Sequence, residues 1–65
     1  MKFAPGNIVE GRRGFSRFVV LIFAINFPHE SYECLLLAKR GFPLPIGDIS
    51  SYGLNSSDWL MNRLQ

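Results

Sequence analysis

From Phe15 to Phe27 the chain reads Phe-Ser-Arg-Phe-Val-Val-Leu-Ile-Phe-Ala-Ile-Asn-Phe, apolar at nearly every position. It shows neither the 3.6-residue stripe of a surface helix nor the alternation of a half-exposed strand. β-Branched and aromatic residues dominate it, so the run predicts a strand over about 16–27, long enough to be the spine of a sheet. Pro28-His29-Glu30 then turn the chain, and Tyr32 to Lys39 returns as a strand over about 32–39, although its Leu-Leu-Leu-Ala core fits a helix by propensity alone. Ahead of both, Ile8-Val9-Glu10 predicts a short strand over about 7–11. The turn Ala4-Pro5-Gly6-Asn7 introduces it, because Pro presets φ while Gly and Asn tolerate positive φ. Gly41 and Pro43 break the chain again. A fourth strand is expected over about 44–50, with Pro45 confining it to an edge or a strand start.

The C-terminal segment carries a helix signal. Asn55 is a natural N-cap, Asp58 places a carboxylate in the first turn, and Leu54 with Trp59 has the spacing of a hydrophobic staple. Leu60 and Leu64 share a face at i, i+4. A short helix over about 56–64 is therefore expected to pack on the sheet. The fold class that results is mainly β: a small antiparallel barrel or strongly bent sheet of four to five strands, with a short C-terminal helix.

Folding the long hairpin about Pro28-His29 pairs Phe27 with Ser31, Ile25 with Glu33, Val19 with Lys39 and Phe18 with Arg40. Both faces of this hairpin are apolar. Phe18, Val20, Ile22 and Ala24 lie on one, and Val19, Leu21, Phe23 and Ile25 on the other. The return strand repeats this, with Cys34, Leu36 and Ala38 against Leu35 and Leu37. An antiparallel sheet with one wet face should alternate apolar with polar. The second apolar face thus points to a partner or to a second copy. Phe23, Ile25, Leu35, Leu37, Tyr52 and Trp59 are the expected partner-binding residues. The same fold gathers Arg12, Arg13, Arg17, Lys39 and Arg40 at one end, flanked by Phe15 and Phe42. These seven residues form a possible nucleic-acid site, with arginines on phosphates and rings as stacking platforms.

Composition narrows the choice. With 65 residues there is room for one domain, 1–65, and 48% hydrophobic content is too high for a disordered tail. A net charge of +2 permits nucleic-acid contact without demanding it. The one cysteine, Cys34, cannot form an internal disulfide, and one Cys with one His falls short of a zinc site. No metal and no cofactor is expected. The longest apolar stretch, Phe18 to Ile25, is far below the ~20 residues of a membrane-spanning helix. Arg12, Arg13 and Arg17 before it match a signal peptide poorly, so a cytoplasmic chain is expected. His29 reads as a surface turn residue and Cys34 as a buried small hydrophobe, so no nucleophile, base and orienting group can be assembled.

Phe3-Ala4-Pro5-Gly6-Asn7-Ile8-Val9, followed by the arm Tyr32-Glu33-Cys34-Leu35-Leu36, resembles the opening of Src-homology-three-like small barrels. That group includes KOW modules and many short phage or plasmid proteins. The resemblance implies a small barrel and leaves function open. Plasmid-borne dihydrofolate reductases share this layout, but where they carry a Val-Gln-Ile-Tyr strand this chain has Pro45-Ile46-Gly47-Asp48-Ile49, so their activity is not implied. Three expectations follow in order. The first is a non-catalytic protein-interaction module, a regulator or inhibitor of a larger protein, phage- or mobile-element-encoded by resemblance, and a homodimer. The second is a nucleic-acid-binding barrel, and the third, more remote, a small-ligand-binding oligomer.

Overall fold

A computed structural model describes residues 3–26, 31–53 and 60–65. Five strands follow one another: β1 (Ile8–Arg13), β2 (Ser16–Asn26), β3 (Ser31–Arg40), β4 (Ile49–Gly53) and β5 (Leu60–Arg63). They form one antiparallel sheet in the order β4-β3-β2-β1-β5, so β5 returns from the far end of the chain to the flank of β1.

The turn that leads into β1 forms as the sequence predicts. The Asn7 amide donates to the Ala4 carbonyl at 3.1 Å, the Ala4 amide donates to Asn7 Oδ1 at 2.9 Å, and Gly6 takes φ 95°. Pro5 before a positive-φ glycine is the sequence signature of a type II turn. Between β1 and β2 the two-residue turn Gly14-Phe15 holds Gly14 at φ 60°, the backbone twist that tight hairpins need.

The long hairpin differs in register from the simple fold about Pro28-His29. Arg17 pairs with Arg40, Phe18 with Lys39 and Val19 with Ala38, one residue from the expected pairing. Two irregularities then interrupt the ladder. Val20 pairs with Leu36, so Leu37 is left over on β3; Ile22 pairs with Cys34 and Ala24 with Glu33, so Phe23 is left over on β2. Such bulges bend and twist the strand that carries them.

Beyond β3 the chain departs further from expectation. Residues 44–48 are not strand. A tight turn closes there, with the Asp48 amide donating to the Pro45 carbonyl at 3.0 Å and Gly47 at φ 91°. It docks on β3 through Gly47 N–H to Leu36 O at 2.8 Å and Leu36 N–H to Asp48 O at 2.9 Å. The edge strand therefore starts at Ile49, later than the expected 44–50. The helix expected over 56–64 is not seen. Residues 60–63 form β5, and the capping residues Asn55, Asp58 and Trp59 lie outside the described residues. Pairing with β1 outweighs the local i, i+4 signal: Leu60 is buried opposite Gly11, the position of β1 that lacks a side chain.

One face of the sheet holds the core: Phe3, Val9, Phe18, Val20, Ile22, Tyr32, Cys34, Leu36, Phe42 and Leu60. Aromatic contacts tie it together. Phe18 lies 4.4 Å from Phe42 and 5.7 Å from Tyr52, and Phe3 meets Tyr32 edge-on at 5.7 Å. The Phe3 amide also donates to the Tyr32 hydroxyl at 3.0 Å, fastening the N-terminal segment over the core.

Candidate functional site

Strand alternation places the remaining side chains on the opposite, outer face, and the ladder pairings order them into rows. The central row is Ile8, Leu21, Leu35 and Ile49, each directly opposite the next across four strands. Ile49 is 63% exposed, while Ile8, Leu21 and Leu35 shelter one another and are half-buried. The two bulge residues widen this band, Phe23 being 46% exposed and Leu37 38%. An extra residue in a ladder has no place in the core-facing rhythm, which is why these large side chains stand outward.

Polar groups border the band at both ends. At the end near the β2–β3 connection, the Glu33 carboxylate accepts from Ser51 Oγ at 2.7 Å, Asn26 Nδ2 at 3.3 Å and Ser31 Oγ at 3.4 Å. At the other end Arg12 stands opposite Arg17, and Arg17 opposite Arg40, a lateral row of three exposed guanidinium groups. Between that row and the band lies a shallow depression of about 200 Å3, with Val19 and Ala38 in its floor and Glu10, Arg17, Lys39 and Arg40 around it.

The expected partner-binding residues divide. Phe23, Leu35 and Leu37 share the outer face. Ile25 and Tyr52 instead pack against the core, because the bulge at Phe23 shifts the facing of every later residue in β2 and brings Ile25 into the Tyr32–Tyr52 row. Trp59 lies outside the described residues. Ile8, Leu21 and Ile49 were not among the expected contacts. The alternation of Leu21 with Val20 and Ile22 was visible in sequence, but its alignment with Ile8 and Ile49 across strands needs the register.

The expected basic end is assembled, with changes of role. Arg12, Arg13, Arg17, Lys39 and Arg40 are all exposed at that end. The Lys39 ammonium donates to the Leu44 carbonyl at 2.8 Å and so ties down the β3–β4 connection. Ser16 Oγ donates to the Gly41 carbonyl at 2.8 Å, clamping the same loop. Arg13 faces away from the arginine row and borders a cleft of about 350 Å3 with Phe42, Leu44, Ser50 and Tyr52. Phe15, at the hairpin tip, is fully exposed. Phe42, expected as a second stacking platform, is buried against Phe18 because the Gly41 turn (φ 74°) folds it back over the core.

The chemistry of the remaining reactive groups is muted. Cys34 is fully buried, and burial followed by the nearby Glu33 charge pushes its thiol up to about 12. Burial also raises the Tyr52 hydroxyl above its usual range. Among the described residues no group of His, Cys, Asp and Glu side chains is placed to hold a metal ion. Among them also, no helix is long and apolar enough to cross a membrane. No protein-family model, curated protein or solved structure matches the chain.

Proposed function

We propose that this chain is a non-catalytic protein-interaction module, a small regulator or inhibitor of a larger protein, which docks through the outer face of its sheet. The observation that carries this reading is the Ile8–Leu21–Leu35–Ile49 row with Phe23 and Leu37 beside it. A contiguous apolar band rimmed by polar groups is the composition of a recognition surface, with a dry centre and a hydrated margin. Burying the still-exposed parts of Phe23 and Leu37 in a partner contributes about 0.5–1.5 kcal/mol each by area alone. The inert, buried Cys34 supports a binding role over a catalytic one. Among the described residues the five antiparallel strands form one open sheet, with β4 and β5 at its edges rather than paired into a closed barrel. The same face serves self-association into a homodimer.

The test compares the wild-type chain with Phe23→Asp combined with Leu37→Asp. Both positions are exposed, so circular dichroism should report the same sheet for each protein. We expect light scattering to show a mass that rises with concentration for wild type, or a purified partner from the native host to bind it, and the double variant to lose either association. A wild-type chain that stays monomeric and binds no host protein through this face would overturn the proposal.

A further inference from the structure

The arginine row calls for an account of its own. Arg12, Arg17 and Arg40 sit side by side on β1, β2 and β3, on strands about 4.8 Å apart. Like charges directly opposite one another weaken a sheet. Among the described residues none of the three has an ion-pair partner. Charges often guard sheet edges, but Arg17 belongs to β2, which is paired along both sides. The row therefore works against the fold at a position where edge protection is not needed.

Next to it stands Phe15, with all of its ring in solvent at the tip of the β1–β2 hairpin. Its neighbours Gly14 and Ser16 offer it no apolar company, and the tight turn holds the ring beyond the end of the sheet. A planar aromatic surface beside three planar cations matches a ligand that carries both anionic oxygens and π-faces. An acidic peptide supplies the anions without the rings. An anionic membrane supplies phosphates, but one phenylalanine gives insertion only a weak anchor. A single-stranded nucleic acid supplies both chemistries at once.

We infer that the basic end of the sheet binds single-stranded nucleic acid, with backbone phosphates on Arg12, Arg17 and Arg40 and a base stacked on Phe15. This surface is separate from the apolar band and goes beyond the docking role proposed for it. Glu10, beside the depression that adjoins the row, repels phosphate and so holds the backbone to the arginines. Arginine–phosphate contacts do not read bases, so the site has little sequence preference.

The experiment is fluorescence anisotropy of a labelled oligothymidylate with the full chain, over a series of salt concentrations. Contacts to three phosphates give a slope of log affinity against log salt of about −2, since each contributes about −0.7 on a single strand. Arg17→Gln and Arg40→Gln should each make that slope shallower by about 0.7. Phe15→Ala should weaken binding roughly 5- to 100-fold with the slope unchanged, as loss of one stacked base does. Phe23→Asp with Leu37→Asp should bind the oligonucleotide like wild type, which separates this site from the apolar face. Circular dichroism checks that each variant keeps its sheet. The inference is overturned by no binding at low salt, by binding indifferent to Arg17→Gln and Phe15→Ala, or by Phe15-dependent binding to phosphatidylserine vesicles with none to the oligonucleotide.

Discussion

Phe23 and Leu37 are the two residues left over when β2 pairs with β3, one on each strand, and their bulges cancel. The register that holds from Arg17–Arg40 to Val19–Ala38 is lost between the two bulges and restored at Ala24–Glu33. A single bulge would have left the two ends of the hairpin offset by a residue. The pair instead lets one long ribbon bend twice while the core residues between them stay aligned.

That relationship predicts opposite fates for sequence neighbours. Phe23→Ser and Leu37→Ser should each lower the unfolding free energy by only about 1 kcal/mol, since each side chain is half-buried. Ile22→Ala and Leu36→Ala, one position away, remove fully or nearly fully buried side chains and should cost about 2–5 kcal/mol. Urea unfolding of the four variants measures the contrast. Equal losses at all four positions would mean that the bulge residues are core after all.

The aromatic residues at the basic end should divide in the same way. Phe42→Ala empties the space against Phe18 and should destabilise the fold by about 3–5 kcal/mol. Phe15→Ala should leave the thermal midpoint of unfolding where it is, because that ring touches no core. If Phe15→Ala lowers the midpoint as far as Phe42→Ala does, the hairpin tip is packed against something.

Tyr32→Phe keeps the ring against Phe3 and removes only the hydroxyl that receives the Phe3 amide. The expected cost is about 1 kcal/mol, the net worth of one hydrogen bond. Amide exchange should localise the loss: Phe3 and its neighbours should exchange faster while Val20 and Ile22 are unchanged. A variant as protected as wild type at Phe3 would show that the bond contributes nothing.

Cys34 provides a pH prediction whose sign is fixed by its raised pKa. The thiol is pushed up to about 12 in the folded chain against an ordinary 9.0. Between those values the unfolded state binds fewer protons than the folded one, so stability falls as pH rises. Below pH 9 this group leaves stability constant. Urea midpoints for wild type and Cys34→Ala should therefore run parallel below pH 9, and wild type should decline more steeply above it. A thiol reagent at neutral pH should modify Cys34 only as fast as the chain opens. Rapid labelling of the fully folded protein would contradict its placement.

Three of the four strands that carry the site were legible in the sequence, β2 from its β-branched and aromatic composition and β3 as its return arm, although the Leu-Leu-Leu-Ala core of β3 is also compatible with a helix by propensity. The Phe18–Ile25 run cannot be a surface helix, and Gly14 and Gly41 mark where strands turn or end, whereas Gly11, expected to close β1, lies inside it and the strand runs on to Arg13. The gathering of Arg17, Lys39 and Arg40 was legible too, since a one-residue error of register moves strand ends very little. What was hidden depends on partners distant in sequence. Nothing local marks Phe23 or Leu37 as supernumerary, and that one bulge decides whether Ile25 faces a partner or the core. Leu60 is a strand residue because Gly11 makes room for it on β1, whereas its own neighbourhood spells a helix. Pro45-Ile46-Gly47-Asp48 had the composition of a turn, yet its apolar Leu44, Ile46 and Ile49 favoured a strand that begins too early.

The ladder between β1 and β5 has a kinetic consequence. It joins Ile8 to the last residues of the chain, with Ile8 N–H to Gln65 O at 2.8 Å and Leu64 N–H to Ile8 O at 2.7 Å. Bringing segments some fifty residues apart together costs about 2 kcal/mol more in loop closure than a five-residue connection does. The β1–β2 and β2–β3 hairpins are therefore rewarded early, and β5 arrives last. Until it does, the flank of β1 around Val9 is a bare line of amide and carbonyl groups, open to the β5 segment of any neighbouring molecule. Chain concentration during refolding then decides whether the final strand is supplied from within or exchanged between copies.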